Sequence, residues 1–268
     1  MPERLGIVSY ANVAPLHYRL EPWGDEIEFV YGVPSELNRM LLAGEIDLTL
    51  ISSIEFLRWR DRLTALPDFS IATLGPVYSV MLFHWRPVDE LDGARIAVTT
   101  ESATSVQLLR VLLAGRGIDA ELVPVKPELE SMLREHDAAL LIGDKALVEA
   151  VNRREVDGRQ PLVSDLGEAW YRQTRLPFTF AVWAALKDNP PSRTLVGKLR
   201  EAREHGLGVL HEVACHESPI RGVSVPIMQR YLSNFRYYLE LPDRDGLIEF
   251  GRRSIPDFDP EELRYWPQ

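Results

Sequence analysis

The amino-acid sequence predicts an α/β protein of two lobes with a ligand cleft between them. Three observations lead there. Short apolar runs rich in β-branched and aromatic residues alternate with helical stretches in two successive blocks, the pattern of parallel strands joined by crossover helices. Polar turns full of hydroxyl side chains follow directly on several of those runs. A tandem-proline linker, Asp188-Asn189-Pro190-Pro191-Ser192, separates both blocks from a helical C-terminal segment, because neither a helix nor a central strand continues through it.

The first block opens with a short buried strand over 4–9 (RLGIVS) and a second over 27–33 (IEFVYGV), with a loop and one helical turn between them. Ser35 is the expected N-cap of a helix over 36–43, where Leu37, Met40 and Leu41 share a face, and Gly44 stops it. A third strand over 46–51 follows, its apolar run broken by Asp47. Residues 69–85 are strand-rich, and 77–85 (VYSVMLFHW) is long enough to cross a domain. The second block has a strand over 96–99, then a helix from about 105 to 115 with Val106, Leu109, Leu112 and Leu113 on one stripe. Strands over 121–124, 137–142 and 178–186 complete it, with a helix between the first two. Beyond the linker, helices are expected over 192–205, over 227–241 with Pro226 in the first turn, and over 244–253. These helices pack most simply back on the first block. Residues 1–92 and 190–268 then form lobe 1 and residues 93–189 lobe 2, with crossings near 88–94 and 186–192. Ligands in such folds sit where the carboxyl ends of the strands of the two lobes face each other.

Composition narrows the partners. The chain carries 30 Lys+Arg against 40 Asp+Glu, a net charge of −10, and shows no basic stripe with interleaved aromatics; neither nucleic acid nor an anionic membrane surface is expected to bind. Its longest apolar runs, such as residues 138–142, fall far short of the ~20 residues that span a bilayer. Polar Ser9, Tyr10 and Asn12 follow Ile7 and Val8 at once, leaving no room for the apolar stretch of an export signal. A cytoplasmic location is the expectation, and the lone Cys215 fits a reducing compartment.

Five polar turns are the candidate chemistry: Ser9-Tyr10-Ala11-Asn12, Ser52-Ser53, Tyr78-Ser79, Thr99 through Thr104 to Ser105, and Gly143-Asp144. Each also reads as an ordinary N-cap or turn former. Together at one strand edge, hydroxyls and free N–H groups make a seat for a carboxylate. The sequence has no G-x-S-x-G elbow, no phosphate-binding glycine and lysine cluster, and no G-x-G-x-x-G after a strand. His84 reads as a strand histidine with a local hydrogen bond, and His17 lies near the first turn without a determined direction. His211 and His216 are five apart and share no helical face, and His211 with Cys215 lacks further ligands, so neither a metal nor a cofactor is expected.

Four blocks carry a resemblance to a known family. Residues 8–16 (VSYANVAPL) are similar to the S-Y-x-N-x-x-P-L signature of the chorismate dehydratases of the futalosine route to menaquinone, with Ala11 where leucine is commoner. Residues 50–55 (LISSIE), 139–147 (ALLIGDKAL) and 177–183 (PFTFAVW) resemble three further blocks of that family in the same order. The resemblance implies a type II periplasmic-binding-protein-like fold. It also implies elimination of the C4 hydroxyl and the C3 proton of chorismate to give 3-[(1-carboxyvinyl)oxy]benzoate. Aromatisation makes that step downhill, so positioning and polarisation matter more than a strong base. In this family the base is the substrate's own enolpyruvyl carboxylate; water and Tyr10 stay open as alternatives. Asn12 matches the asparagine that orients the reacting centre. Ser9, Tyr10, Ser52, Ser53, Ser79, Ser102, Thr104, Ser105, Gly143 and Asp144 are the expected binding residues, with the choice of turn for each carboxylate open. Asp144 serves equally well as the cap of the helix after it. Two other readings stand beside this one: the sibling 1,4-dihydroxy-6-naphthoate synthase, and a binding protein that captures an organic acid unchanged. The S-Y-x-N and I-G-D-x-A-L blocks favour the dehydratase over the first, and the missing export signal disfavours the second.

A dianionic substrate and an acidic chain repel at long range. Attraction must be local, from helix N-termini, oriented N–H groups and hydroxyls, with an unassigned arginine as a further source. Whether the protein dimerises stays open.

Overall fold

The computed structural model describes residues 2–20 and 26–267. The chain runs through β1 (Glu3–Val8), α1 (Ala14–His17), β2 (Ile27–Gly32), α2 (Pro34–Leu42), β3 (Leu48–Ser52), α3 (Ser53–Arg58) and β4 (Leu63–Thr73). It continues as β5 (Val80–His84), β6 (Arg95–Thr99), α4 (Ala103–Ala114), β7 (Glu121–Val125), α5 (Leu129–Glu135), β8 (Ala138–Ile142), α6 (Gly143–Asn152), β9 (Leu162–Asp165) and α7 (Leu166–Thr174). It ends with β10 (Phe178–Leu186), α8 (Arg193–Gly208), α9 (Leu210–Arg221), α10 (Val225–Ser233), β11 (Phe235–Arg236) and α11 (Leu241–Ser254).

Two mixed sheets result, ordered β11-β4-β10-β3-β1-β2 and β7-β6-β8-β5-β9. In the first, β1 runs parallel to β2 and β3 while β10 lies antiparallel between β3 and β4. In the second, β6 is parallel to β7 and β8, and β5 is antiparallel to β8 and β9. Alternation along β5 shows how the second sheet is held on both sides. Val80 and Leu82 join the large cluster that spans both sheets, whereas Met81 and Phe83 pack with Leu129, Met132 and Leu133 on the opposite face.

The two-lobed α/β organisation agrees with the sequence reading, but its crossings do not. β5 pairs in the second sheet and β10 in the first, so the chain crosses between β4 and β5 and again between α7 and β10. The boundaries drawn at 92/93 and 189/190 are displaced accordingly, and the Asp188 to Ser192 linker simply leads from β10 into α8 within one lobe. The physical reason is that sheet membership is set by which backbone edges pair, not by the apolar content of the strand itself. The expected long strand over 77–85 also shortens to β5, because Tyr78 takes a left-handed φ of 63° that no strand continues through.

Other ends shift for local reasons. α2 starts at Pro34, with Val33 at the cap position in place of Ser35, since proline is preorganised for the first helical turn. Gly44 follows at φ 71°, the expected stop. The third strand runs 48–52 because the Asp47 carboxylate is occupied by the Arg4 N–H. α4 begins at Ala103 under a Ser102 cap, two residues before the expected start. The stretch over 227–241 is not one helix: α10 ends at Ser233, and Phe235-Arg236 pairs with β4. α9 has no counterpart in the sequence reading, its Pro219 being tolerated near its end. Among the described residues, no helix is long and apolar enough to cross a membrane.

Candidate functional site

The carboxyl ends of β1, β3, β6 and β8 and the start of antiparallel β5 face one cavity between the sheets. Its polar lining comes from all five turns: Tyr10 and Asn12, Ser52, Ser79, Ser102 with Thr104 and Ser105, and Gly143. Val8, Leu50, Ile71, Val80, Ile142 and Phe180 form its apolar walls. Three expected residues are elsewhere. Ser9 is exposed and borders the open recess outside Tyr10. Ser53 is fully buried and donates to the Thr179 carbonyl at 2.6 Å. Asp144 turns away from the cavity, because its carboxylate is consumed by the backbone of the first turn.

That last contact builds the site. Asp144 Oδ1 accepts from the Ala11 N–H at 3.1 Å, and its Oδ2 pairs at 3.1 Å with Arg221, which in turn holds buried Glu217 at 2.9 Å. Burial pushes the Asp144 carboxyl above its usual range, with Arg221 and the Ala11 N–H pulling against it. The network pins the first turn to the start of α6. Gly143 makes the fit possible. It sits at φ 64°, donates to the Ser79 carbonyl at 2.7 Å, and a Cβ there would lie 3.1 Å from the Tyr10 ring.

Tyr10 spans from that ring contact to Glu101, to which its hydroxyl donates at 3.3 Å. Burial and the Glu101 charge push its phenol far above the usual tyrosine range, so it stays protonated. Beside it, Asn12 Oδ1 is buried with no hydrogen-bond partner. Asn12 lines the cavity, and its amide oxygen, buried without a bond, is a vacant acceptor there, since burial without a bond is costly.

The hydroxyls share a polarity. Ser52 Oγ accepts from Asn38 Nδ2 at 3.0 Å, Thr104 Oγ1 accepts from the Ile54 N–H at 3.0 Å, and Ser105 Oγ accepts from Ser102 Oγ at 3.0 Å. Among the described residues none of the three donates a hydrogen bond to the protein. A hydroxyl has one proton, so each proton remains for whatever fills the cavity. Ser79 differs, leaning toward the Val77 carbonyl at 3.5 Å. Its turn is held by the Asp165 carboxylate, which collects the N–H groups of Val77 and Tyr78 at 2.9 and 2.7 Å.

No Asp, Glu, Lys, Arg or His lines this cavity among the described residues. The arginine left unassigned by the sequence is therefore not a lining residue; Arg221 acts one layer back, through Asp144. His84 bonds the Arg86 carbonyl and Ser164 inside its strand, as expected, and His17 does not reach the cavity. His211 and Cys215 do approach, at 3.6 Å on α9, yet no group of three potential metal ligands exists among the described residues. Sequence reasoning missed Asn38 and Arg221. Asn38 had one signal, a polar side chain beside the buried stripe of Leu37 and Leu41.

A family model described as menaquinone biosynthesis matches residues 3–254. The chain belongs to that family. It is 46% identical over 274 aligned positions to a chorismate dehydratase of Thermus thermophilus, spanning 97% of this chain and 99% of the relative. The fold likeness is broader. A crystal structure of a protein from Archaeoglobus fulgidus superposes with a TM-score of 0.72 at 21% identity, covering 93% of this chain and 95% of that one. The periplasmic aliphatic sulphonate binding protein of Escherichia coli gives 0.67 at 16% identity, covering 100% and 92%. The periplasmic-binding-protein-like fold implied by the sequence resemblance is thus the fold of this family member.

Proposed function

We propose that this protein eliminates water from chorismate, as a hydro-lyase of menaquinone biosynthesis. One observation carries the reading: an uncharged cavity whose hydroxyls at Ser52, Thr104 and Ser105 are committed as donors, next to the vacant acceptor of Asn12. The likeness to the Thermus chorismate dehydratase supplies the substrate. Donor protons seat the two carboxylates, and Asn12 Oδ1 accepts from the C4 hydroxyl, orienting it for departure. The enolpyruvyl carboxylate takes the C3 proton, the C–H electrons complete the ring π-system, and the C4 hydroxyl leaves with that proton as water. Among the described residues no lining side chain competes as base, because the one titratable group there, Tyr10, is held protonated.

Two results follow. Incubation with chorismate is expected to produce a benzoate-type ultraviolet absorbance; chorismate recovered unchanged after long incubation would instead support an organic-acid-binding protein. Tyr10→Phe, which removes only the hydroxyl bonded to Glu101, is expected to keep kcat within roughly tenfold of the parent, whereas loss of a general base costs about 100-fold or more. A collapse of kcat in Tyr10→Phe, measured against the parent at several pH values, would return the base role to Tyr10.

A further inference from the structure

Ser52 is held by an amide whose orientation is fixed. The Ser52 backbone N–H points at Asn38 at 3.2 Å, and an N–H can only donate, so the atom facing it is Oδ1. Nδ2 is thereby left facing Ser52 Oγ at 3.0 Å, where it can only donate. One lone pair of the hydroxyl is filled, which leaves its proton free to donate into the cavity that Ser52 lines. Asn38 itself is 5% exposed and lies on α2, behind the cavity wall and outside the lining. Asparagine is the one ordinary side chain of this size that accepts from a backbone N–H and donates to a hydroxyl in the same plane; aspartate accepts from both.

We propose that Asn38 is a positioning residue that commits the Ser52 hydroxyl to donate to a substrate carboxylate. The inference rests on the cavity being the chorismate site. It assigns a polarity to that site from outside it: the helix sets which way the hydroxyl dipole points, and an anion is bound without a cation.

Asn38→Asp tests this with almost no change of shape. The Ser52 N–H keeps its acceptor, while an ionised carboxylate turns the Ser52 proton away from the cavity. Once protonated, the same carboxyl donates to Ser52 Oγ and restores the original pattern. The ionisable groups around Asn38 are few. β3 and β10, packed on α2, hold no ionisable side chain; β1 and β2 contribute Glu3, Arg4, Glu28 and Tyr31, and Glu36 and Arg39 on α2 are exposed.

The experiment compares chorismate binding by calorimetry and turnover by absorbance for the parent, Asn38→Asp, Asn38→Ala, Ser52→Ala and Asn38→Asp/Ser52→Ala. Binding by Asn38→Asp is expected to weaken about tenfold at about pH 8 and to recover as pH falls to about 5.5, with KM affected more than kcat. Asn38→Ala should weaken binding without that recovery. Recovery should also be absent from the double variant, whose affinity should match Ser52→Ala. Affinity within twofold of the parent for Asn38→Asp at the higher pH overturns the proposal. So does pH recovery that persists without Ser52, which would show direct repulsion by the new charge. A parent that binds chorismate but does not convert it fails the functional reading alone, since the binding comparison still decides Asn38. A parent that binds none overturns both.

Discussion

Asn12→Ala is expected to lower kcat/KM for chorismate by about 100-fold or more, the scale seen when one preorganised polar group at a reacting centre is removed. The distinguishing feature is what should happen to stability. Asn12 Oδ1 is buried without a partner, so the folded protein already bears the desolvation of that atom with nothing in return. Removing an orphaned polar atom is neutral or stabilising, unlike removal of a bonded one. The variant should therefore unfold at the same temperature as the parent or slightly above it while losing activity. That pairing separates a residue kept for chemistry from one kept for structure. Thermal unfolding and steady-state kinetics on the same preparation decide it: turnover near the parent value removes Asn12 from the mechanism, and a concurrent drop in unfolding temperature would recast it as a structural residue.

The second large effect is on stability. In the middle of the packing between α8 and α1, a Cβ placed on Gly206 would lie 2.0 Å from the Pro15 carbonyl oxygen and 2.8 Å from its carbon. Backbone cannot yield as a side-chain tip does. Gly206→Ala should gain about 1 kcal/mol of helix propensity and lose considerably more to the clash, a net cost of roughly 3 kcal/mol. For a chain of this size that lowers Tm by about 6–12 °C. Gly197 on the same helix has nothing within 4 Å of the equivalent position, so Gly197→Ala is the control and should hold or raise Tm. The displaced Pro15 lies three residues beyond Asn12, so kcat/KM should fall in the first variant and not in the second. Equal melting temperatures for the two variants would show that α1 and α8 are not packed this closely in solution.

Both results bear on what the sequence made legible. Strands ending in hydroxyl-rich turns were visible because an apolar run followed by Ser, Thr or Asn is a local pattern, and those turns do converge on one cavity. The crossings were misplaced because β5 and β10 are apolar enough to serve in either sheet, and only pairing decides between them. α9 was hidden because Pro219 and a mixed surface conceal its period. Within the site, Ser53 and Asp144 carry the right chemistry at the right turns but are spent on Thr179 and Ala11. A side chain's type can be read from sequence, whereas the direction of its hydrogen bonds cannot. Asn38 shows the converse, a site component 14 residues from the serine it orients and placed on a helix that otherwise reads as packing.

The absence of a charged lining among the described residues also bears on how a product would leave. An arginine or lysine would go on attracting a dianion through a hydrated gap, because a full charge acts over nanometre distances until salt screens it. Hydroxyl and amide dipoles lose their hold once water can compete for the same hydrogen bonds. In this protein, parting the lobes far enough to wet Ser52, Thr104 and Ser105 would release every polar contact at once, and an acidic exterior of net charge −10 would then drive the freed dianion outward. Because salt screens that long-range repulsion while leaving the buried hydrogen bonds in place, raising the ionic strength should strengthen binding, the opposite of what a cationic site would show.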